Sequence, residues 1–344
     1  MAPTRNARVL FAAIPEGFPI PGKTTVYDSS QKIVLGTVPL NGGFLIKTLV
    51  LSIDPYMRAR MRMSTEKDSY SAPFVLGAPL KSHGVGLVLR SENPDVTPGK
   101  YVYGVSIPHQ EYSVLPNMEE LIFLEKDPNL PWTVYVGAAG MPGKTAYMAW
   151  KEYSQAKKDE TAFITTGAGA VGSMVIQLAK RDGLKVIACA GSEEKVKFIQ
   201  ELGADVAFNY KTTDMRTVLA REGPINIFWD NVGGDALDAA LEHAAVYARF
   251  LECGMISAYN TGYRGSKKLH YIFTKSITVN GFVVFRMKPK YDTEFYETIP
   301  RLLASGELKY REEVSRGLET VGHTILRIME GKNTGKAVVA VAEE

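Results

Sequence analysis

The chain has 344 residues, with 40 Lys or Arg against 37 Asp or Glu and a net charge of +3. At roughly 150 residues per domain the length predicts two domains, and so even a charge balance argues against a nucleic-acid or anionic-membrane partner. Two cysteines, Cys189 and Cys253, are too few for a disulfide scaffold or a four-cysteine zinc site. No apolar run reaches the roughly eighteen residues of a membrane span. The N-terminal stretch carries no signal-peptide pattern, so the expected location is the cytoplasm.

Residues 1–128 alternate short β-like runs with turns. Val9–Ile14, Val34–Val38, Gly43–Ser52, Val85–Leu89, Lys100–Tyr103 and Glu111–Leu115 are the expected strands, separated by signals such as Asn41-Gly42-Gly43 and Thr97-Pro98-Gly99. That texture predicts a compact all-β unit. From about residue 130 the pattern becomes strand–helix alternation. A helix over Lys144–Tyr153 precedes a buried strand, Thr161–Thr166; after a glycine turn come a helix over Val171–Arg181, a strand over Lys185–Cys189 and a helix over Glu193–Leu202. Val206–Phe208, Met215–Arg221, Ile225–Asp230, Ala236–His243 and Ala248–Cys253 continue the alternation, and Ile277–Phe285 ends it. Fully apolar strands spaced by helices imply a parallel sheet covered on both faces. A helix over Glu319–Met329 and a strand over Lys336–Val341 close the chain, the strand returning to the first domain. The predicted division is 1–128 with 301–344, and 129–300.

The turn after Thr161–Thr166 reads Gly167-Ala168-Gly169-Ala170-Val171-Gly172, a complete G-x-G-x-x-G between a strand and a helix. Gly167 is expected to permit the tight turn, Gly169 to let a pyrophosphate approach the backbone, and Gly172 to let helix and strand pack closely. The phosphates would sit at the helix N-terminus. An NAD site wants Asp or Glu roughly 20 residues further on. Here the second strand ends Ala188-Cys189-Ala190-Gly191-Ser192, with no acid at its tip and Lys195 in the first helical turn. Space and a cation suit a 2′-phosphate, so the cofactor reads as NADPH; Glu193 and Glu194 weaken the field, and a solvated surface lysine is the alternative for Lys195.

Several blocks resemble one family in order along nearly the whole chain: Asp54-Pro55-Tyr56-Met57-Arg58, Gly140-Met141-Pro142-Gly143, Gly167–Gly172, Ala190-Gly191-Ser192-Glu193-Glu194-Lys195, Phe208-Asn209-Tyr210-Lys211, Asp230-Asn231-Val232-Gly233-Gly234, Tyr259-Asn260, Asn280-Gly281-Phe282 and Asn333-Thr334-Gly335-Lys336. They resemble the zinc-independent medium-chain dehydrogenase/reductases, and among them the prostaglandin and 2-alkenal double-bond reductases. The resemblance implies an α/β fold: a GroES-like β domain for substrate, plus a doubly wound Rossmann domain for NADPH. It implies that Gly167, Gly169, Ala170, Val171, Gly172, Gly191, Ser192, Lys195, Tyr210, Asn231, Cys253 and Asn333 contact the cofactor, that Tyr56 lines the substrate cleft and that Tyr259 is catalytic. It further implies a homodimer paired through the edge strand that carries Asn280–Phe285. A zinc dehydrogenase needs a Cys/His/Cys-type ligand set in the first domain. Cys189 and Cys253 fall on the Rossmann strands, and His83 and His109 lack a cysteine partner, so no metal is expected.

Without a metal an isolated carbonyl lacks its Lewis acid, whereas a conjugated C=C accepts hydride at the β-carbon and gathers charge on the carbonyl oxygen. The expected reaction is NADPH-dependent reduction of the C=C bond of an enal or enone, with Tyr259 polarising or protonating the enolate. A packing wall is the alternative for Tyr259. Arg58, Arg60 and Arg62 read as a solvated loop, with cofactor steering as the alternative. A quinone reductase on the same fold and a non-catalytic NADPH-binding protein are the competing functions. Lys144, where relatives often carry Leu, and the basic loop Thr261–Lys268 depart from the family pattern where substrate choice is usually set.

Overall fold

The structure is a computed structural model that describes residues 2–63 and 69–343. The chain divides into two units, Met1–Gly137 with Glu312–Glu344, and Ala138–Arg311. The divisions therefore fall about ten residues beyond the expected ones. Trp132–Val136 forms a 3-10 turn whose Trp132 ring lies 4.5 Å from Tyr101, which keeps 129–137 in the β-rich unit. A helix not foreseen in the sequence, Lys288–Ala304, carries the second unit past residue 300. Among the described residues no helix is long and apolar enough to cross a membrane.

The β-rich unit is built on a seven-stranded sheet. Its order is Glu312–Arg316, Lys336–Ala340, Phe44–Ser52, Lys81–Ser91, Tyr101–Pro108 and Leu121–Phe123, with Tyr112–Leu115 also paired to Phe44–Ser52. The C-terminal strand runs antiparallel to Phe44–Ser52, Val339 opposite Leu51, so the tail returns as expected. Helix Val321–Met329 buries Val321, Thr324, Ile325, Ile328 and Met329, the stripe of an amphipathic helix; its four apolar members join Phe11, Phe44, Leu51 and Ile107 in one core. The strand expected over Val34–Val38 is instead a turn: Thr37 and Val38 both donate their amides to Val34 O, and pairing stops at Ile33.

The second unit is a six-stranded parallel sheet. Its strands are β1 (Thr161–Ile164), β2 (Lys185–Ala190), β3 (Val206–Asn209), β4 (Ile225–Asp230), β5 (Ala244–Glu252) and β6 (Thr278–Gly281), in the order 3-2-1-4-5-6. That is the doubly wound dinucleotide-binding order, with its switch point between β1 and β4. Helices α1 (Met141–Tyr153), α2 (Ala170–Arg181), α3 (Glu193–Glu201), α4 (Met215–Glu222), α5 (Gly234–His243), α6 (His270–Thr274) and α7 (Lys288–Ala304) belong to the same unit. One rung of the sheet runs Ile187, Phe163, Phe228, Phe250, Val279 in register. Its phenylalanine rings pack at centroid distances of 5.4 and 5.0 Å. At about 25 cal/mol per Å² of apolar surface, such fully buried rings stabilise the sheet. Two rungs toward the strand ends lie Asp230 and Glu252. The last strand is shorter than Ile277–Phe285: after Gly281 the chain leaves the sheet, and Phe282 packs edge-on to Trp229 at 5.6 Å.

Candidate active site

Twelve of the fourteen residues singled out in the sequence belong to the parallel-sheet unit, and Tyr56 and Asn333 to the β-rich unit. In the parallel-sheet unit they sit where the C-terminal ends of the strands pass into loops, the ligand-binding edge of an open α/β sheet.

The glycine turn follows β1 and opens α2. Its backbone departs from expectation at one point. The left-handed residue is Thr166, at φ +54°, a costly conformation for a β-branched side chain. Gly167 instead answers a packing demand: a Cβ there would lie 3.1–3.2 Å from Ile176, Ala188 and Ile199. Gly172 behaves as read, since a Cβ would strike Thr166 O at 2.4 Å and close the gap between helix and strand. Gly169 caps α2 with no side-chain hydrogen bond. The amides that begin with Ala170 and Val171 thus meet no capping side chain, and the positive end of the helix can receive an anion.

At the tip of β2, Ser192 caps α3 and accepts from the Lys195 amide at 3.4 Å. A Cβ on Gly191 would come within 2.9 Å of the Tyr210 hydroxyl, so the two predicted residues are in contact. The two nearby acids are engaged elsewhere: Glu193 accepts from Asn209 Nδ2 at 2.8 Å, and Glu194 lies 3.5 Å from Arg311. The Asn231 carboxamide clasps the ends of β1 and β4, donating to Thr165 O at 2.7 Å and accepting from Trp229 Nε1 at 3.2 Å. Burial pushes the Cys189 and Cys253 thiols up to about 12, which makes neither a nucleophile. Tyr259 ends the 3-10 turn Ile256–Ala258. Its hydroxyl lies over Gly254, where a Cβ would be 2.9 Å away. The following loop is pinned at its far side, with Ser266 Oγ donating to Asp238 and Lys268 paired with Glu242 at 2.7 Å.

In the β-rich unit, Tyr56 precedes the short helix Met57–Arg60. Its ring meets His83 edge-on at 6.2 Å, and His83 Nδ1 bonds the Tyr103 hydroxyl at 2.7 Å. Burial, then the Asp54 charge, raises the Tyr56 phenol well above its usual range against the opposing pull of Arg60. Asp54 pairs with buried Lys336 at 3.2 Å, which ties the Tyr56 loop to the strand that follows Asn333. Asn333 itself donates from Nδ2 to Gly335 O at 2.9 Å. The three arginines are not a freely solvated face. Arg58 donates to Gly17 O, Arg60 to Ala72 O and Lys81 O, and Arg62 to Ala59 O and Ser71 O, so they staple neighbouring loops. The His83–Tyr103 contact and the Asp54–Lys336 pair are not foreseen in the sequence, because each joins residues distant in the chain.

The family model for zinc-binding dehydrogenase matches residues 170–304, and that for the N-terminal domain of oxidoreductase matches 8–122. An NADP-dependent oxidoreductase, RED1, of Cochliobolus heterostrophus is 39% identical over 98% of both chains. The NADP(+)-dependent 2-alkenal reductase of Nicotiana tabacum is 40% identical over 87% of this chain and 88% of its own. The chain belongs to the zinc-independent medium-chain dehydrogenase/reductases of the double-bond reductase kind. A solved structure from this family, CurA of Vibrio vulnificus in complex with NADPH, superposes with a TM-score of 0.88 at 31% identity, over 98% of this chain and 100% of that one. The residues here do not fit the zinc of the wider family: among the described residues no three His, Cys, Asp or Glu side chains are grouped as ligands. His83 is bonded to Tyr103 and His109 to Ser82.

Proposed function

We propose that this protein reduces the C=C bond of α,β-unsaturated aldehydes or ketones with NADPH. The observation that carries the reading is the rim of the parallel sheet: an uncapped helix N-terminus after the glycine turn, an acid-free tip on β2 beside Lys195, and the Tyr259 phenol seated over Gly254. A 2-alkenal reductase at 40% identity and an NADPH-bound neighbour at a TM-score of 0.88 support the reaction class and the cofactor. Gly167, Gly169, Ala170, Val171 and Gly172 hold the pyrophosphate. Gly191, Ser192, Lys195 and Tyr210 take the 2′-phosphate end, and Asn231, Cys253 and Asn333 line the rest of the cofactor. Bound NADPH supplies the hydride received by the β-carbon of the substrate.

Tyr259 donates a hydrogen bond to the substrate carbonyl oxygen, on which negative charge gathers, and the α-carbon then takes a proton. A phenol suits this task because it donates without carrying charge at neutral pH. One such donor is worth about 3–4 kcal/mol of barrier. Tyr56 supplies a wall of the substrate site. The chain acts in the cytoplasm as a homodimer paired through β6, an edge strand with Val279 exposed and with Phe273 (76% exposed) and Tyr247 (72% exposed) in the same unit. Such an apolar edge invites a partner strand. The test is NADPH oxidation with a short trans-2-alkenal, a benzylidene ketone and a quinone, with products identified by mass and NMR. A saturated product that keeps its carbonyl is expected. An allylic alcohol, or turnover of the quinone alone, overturns the reading.

A further inference from the structure

Behind the Tyr259 turn lies a pair of acids that the reaction does not touch. Asp230 ends β4, Glu252 ends β5, and the two are register partners on the last shared rung. Asp230 is fully buried. Its Oδ1 accepts the amides of Val232 at 2.8 Å and Gly233 at 2.9 Å. Its Oδ2 and both carboxyl oxygens of Glu252 are buried with no hydrogen-bond partner among the described residues, although the Thr165 hydroxyl also lies by the Asp230 carboxyl. Three buried acceptor oxygens without a donor would be costly, and two adjacent buried carboxylates more so. One proton resolves both problems. Burial raises the Asp230 carboxyl too, but the proton belongs on Glu252, because Asp230 has main-chain donors that favour its anion and Glu252 has none. Burial first, then the Asp230 charge and hydrogen bond, push the Glu252 carboxyl up to about 8.

Among the described residues, the charged groups on the elements packed against the pair are engaged elsewhere. The flanking strands Thr161–Ile164 and Thr278–Gly281 carry no titratable side chain. The Cys189 and Cys253 thiols are neutral, each pushed up to about 12. Arg249 on β5 is bound to Glu160 at 2.9 Å and to Ser154 O. On α5, Asp235 and Glu242 pair with Arg216, Asp238 accepts from Ser266, and His243 is lowered by burial. On α1, Lys144 pairs with Asp292, Lys151 with Glu294 and Glu152 with Lys290, and the Tyr147 phenol donates to Glu294.

The same acids sit at the root of the Tyr259 turn. Asp230 O accepts the amides of Cys253 at 2.9 Å and Gly254 at 3.2 Å. Asn231 O takes the Ile256 amide, and Val232 O takes the Ser257 amide and, at 2.6 Å, its hydroxyl. The Tyr259 amide donates to Ile256 O, and the Tyr259 hydroxyl lies over Gly254. We propose that Asp230 and Glu252 form one proton-sharing positioning pair, in which the Glu252 carboxylic acid donates to the Asp230 carboxylate and so holds the turn that seats the Tyr259 hydroxyl. Loss of the proton puts two anions on one rung, and the turn tied to Asp230 shifts. The link to catalysis rests on the reading of Tyr259 given above; the pair itself does not.

The test follows the ring carbon that bears the hydroxyl in 13Cζ-tyrosine-labelled full-length protein, with the Tyr259 resonance identified by its absence in Tyr259→Phe. In the wild type that resonance moves with a midpoint at pH about 8; in Glu252→Gln, whose amide donates to Asp230 at every pH, the movement is gone. In parallel, kcat with the alkenal falls about tenfold from pH 7 to pH 9 in the wild type, as expected for one proton titrating near 8, and Glu252→Gln loses that limb. A wild-type Tyr259 resonance that is flat through pH 8 overturns the proposal, whatever the variant does. So does the same midpoint in Glu252→Gln. The expected resonance shift in a protein that turns over no alkenal supports the pair and overturns the proposed reaction instead.

Discussion

Above the strand ends of the parallel sheet, the loops are held by main chain and by what glycines leave out. Gly172, Gly191 and Gly254 each admit a neighbour to within 3 Å of where a Cβ would stand, and Asp230, Asn231 and Val232 bind the Tyr259 turn through their carbonyl oxygens. Around Tyr56, in the β-rich unit, the loop rests on buried or half-buried cations. Lys336 donates to Ile53 O and Ala337 O, both at 2.6 Å, and faces Asp54, while three arginines reach the carbonyls of adjacent loops. The two solutions fail in opposite ways. A glycine-built rim tolerates the loss of a side-chain atom and is disturbed by an added methyl. An ion-paired loop tolerates added bulk poorly and the loss of one charge worse, because the partner is left buried and alone.

The largest effect should come from breaking the ion-paired side. Lys336→Met leaves Asp54 without its cation and should cost about 3–5 kcal/mol in chemical denaturation. A loss under about 1 kcal/mol would mean that the pair does not carry the loop. On the glycine-built side, Tyr259→Phe should lower kcat roughly 10²–10³-fold with NADPH affinity nearly unchanged, and undiminished turnover would remove Tyr259 from the chemistry. Gly254→Ala sharpens the contrast. Its backbone needs no special conformation, so stability should hold, while the displaced hydroxyl should lower kcat about 10–100-fold; equal kcat would show that the hydroxyl's seat is irrelevant.

The β-rich unit should also be the acid-sensitive one. Burial, then Arg60, pushes His109 down to about 3, below its ordinary 6.5, so its contribution is present above pH 6.5 and is lost as pH falls toward 3. At pH 5 the wild type should have lost about 2 kcal/mol relative to His109→Gln, and parallel stability curves would refute it. The smallest effect is expected at Lys195: its replacement by Ala should cut the NADPH-over-NADH preference roughly tenfold, and an unchanged ratio of kcat/KM values would return it to the solvated surface.

Most of the parallel-sheet unit was legible because its signals are local. Apolar strands and the glycine turn each lie within a few residues of what they organise. The helix Lys288–Ala304 was not, since Pro300 interrupts its pattern and its docking depends on partners far away in sequence. Lys144, an apparent departure from the family, is one of those partners: it lies 2.5 Å from Asp292 and 4.2 Å from the Tyr296 ring. Gly167 lies in the expected turn and also in a crowded packing site, which the sequence alone could not show. Glu252 carried no signal at all, since an acid at a strand end looks solvated until the parallel register brings Asp230 beside it.

The most direct measurement of the central claim is the fate of deuterium from NADPH labelled at the transferable position, with a trans-2-alkenal as substrate and the product read by NMR. The account predicts a saturated aldehyde with deuterium on the β-carbon and a solvent proton on the α-carbon. Deuterium on the carbinol carbon of an allylic alcohol would contradict it.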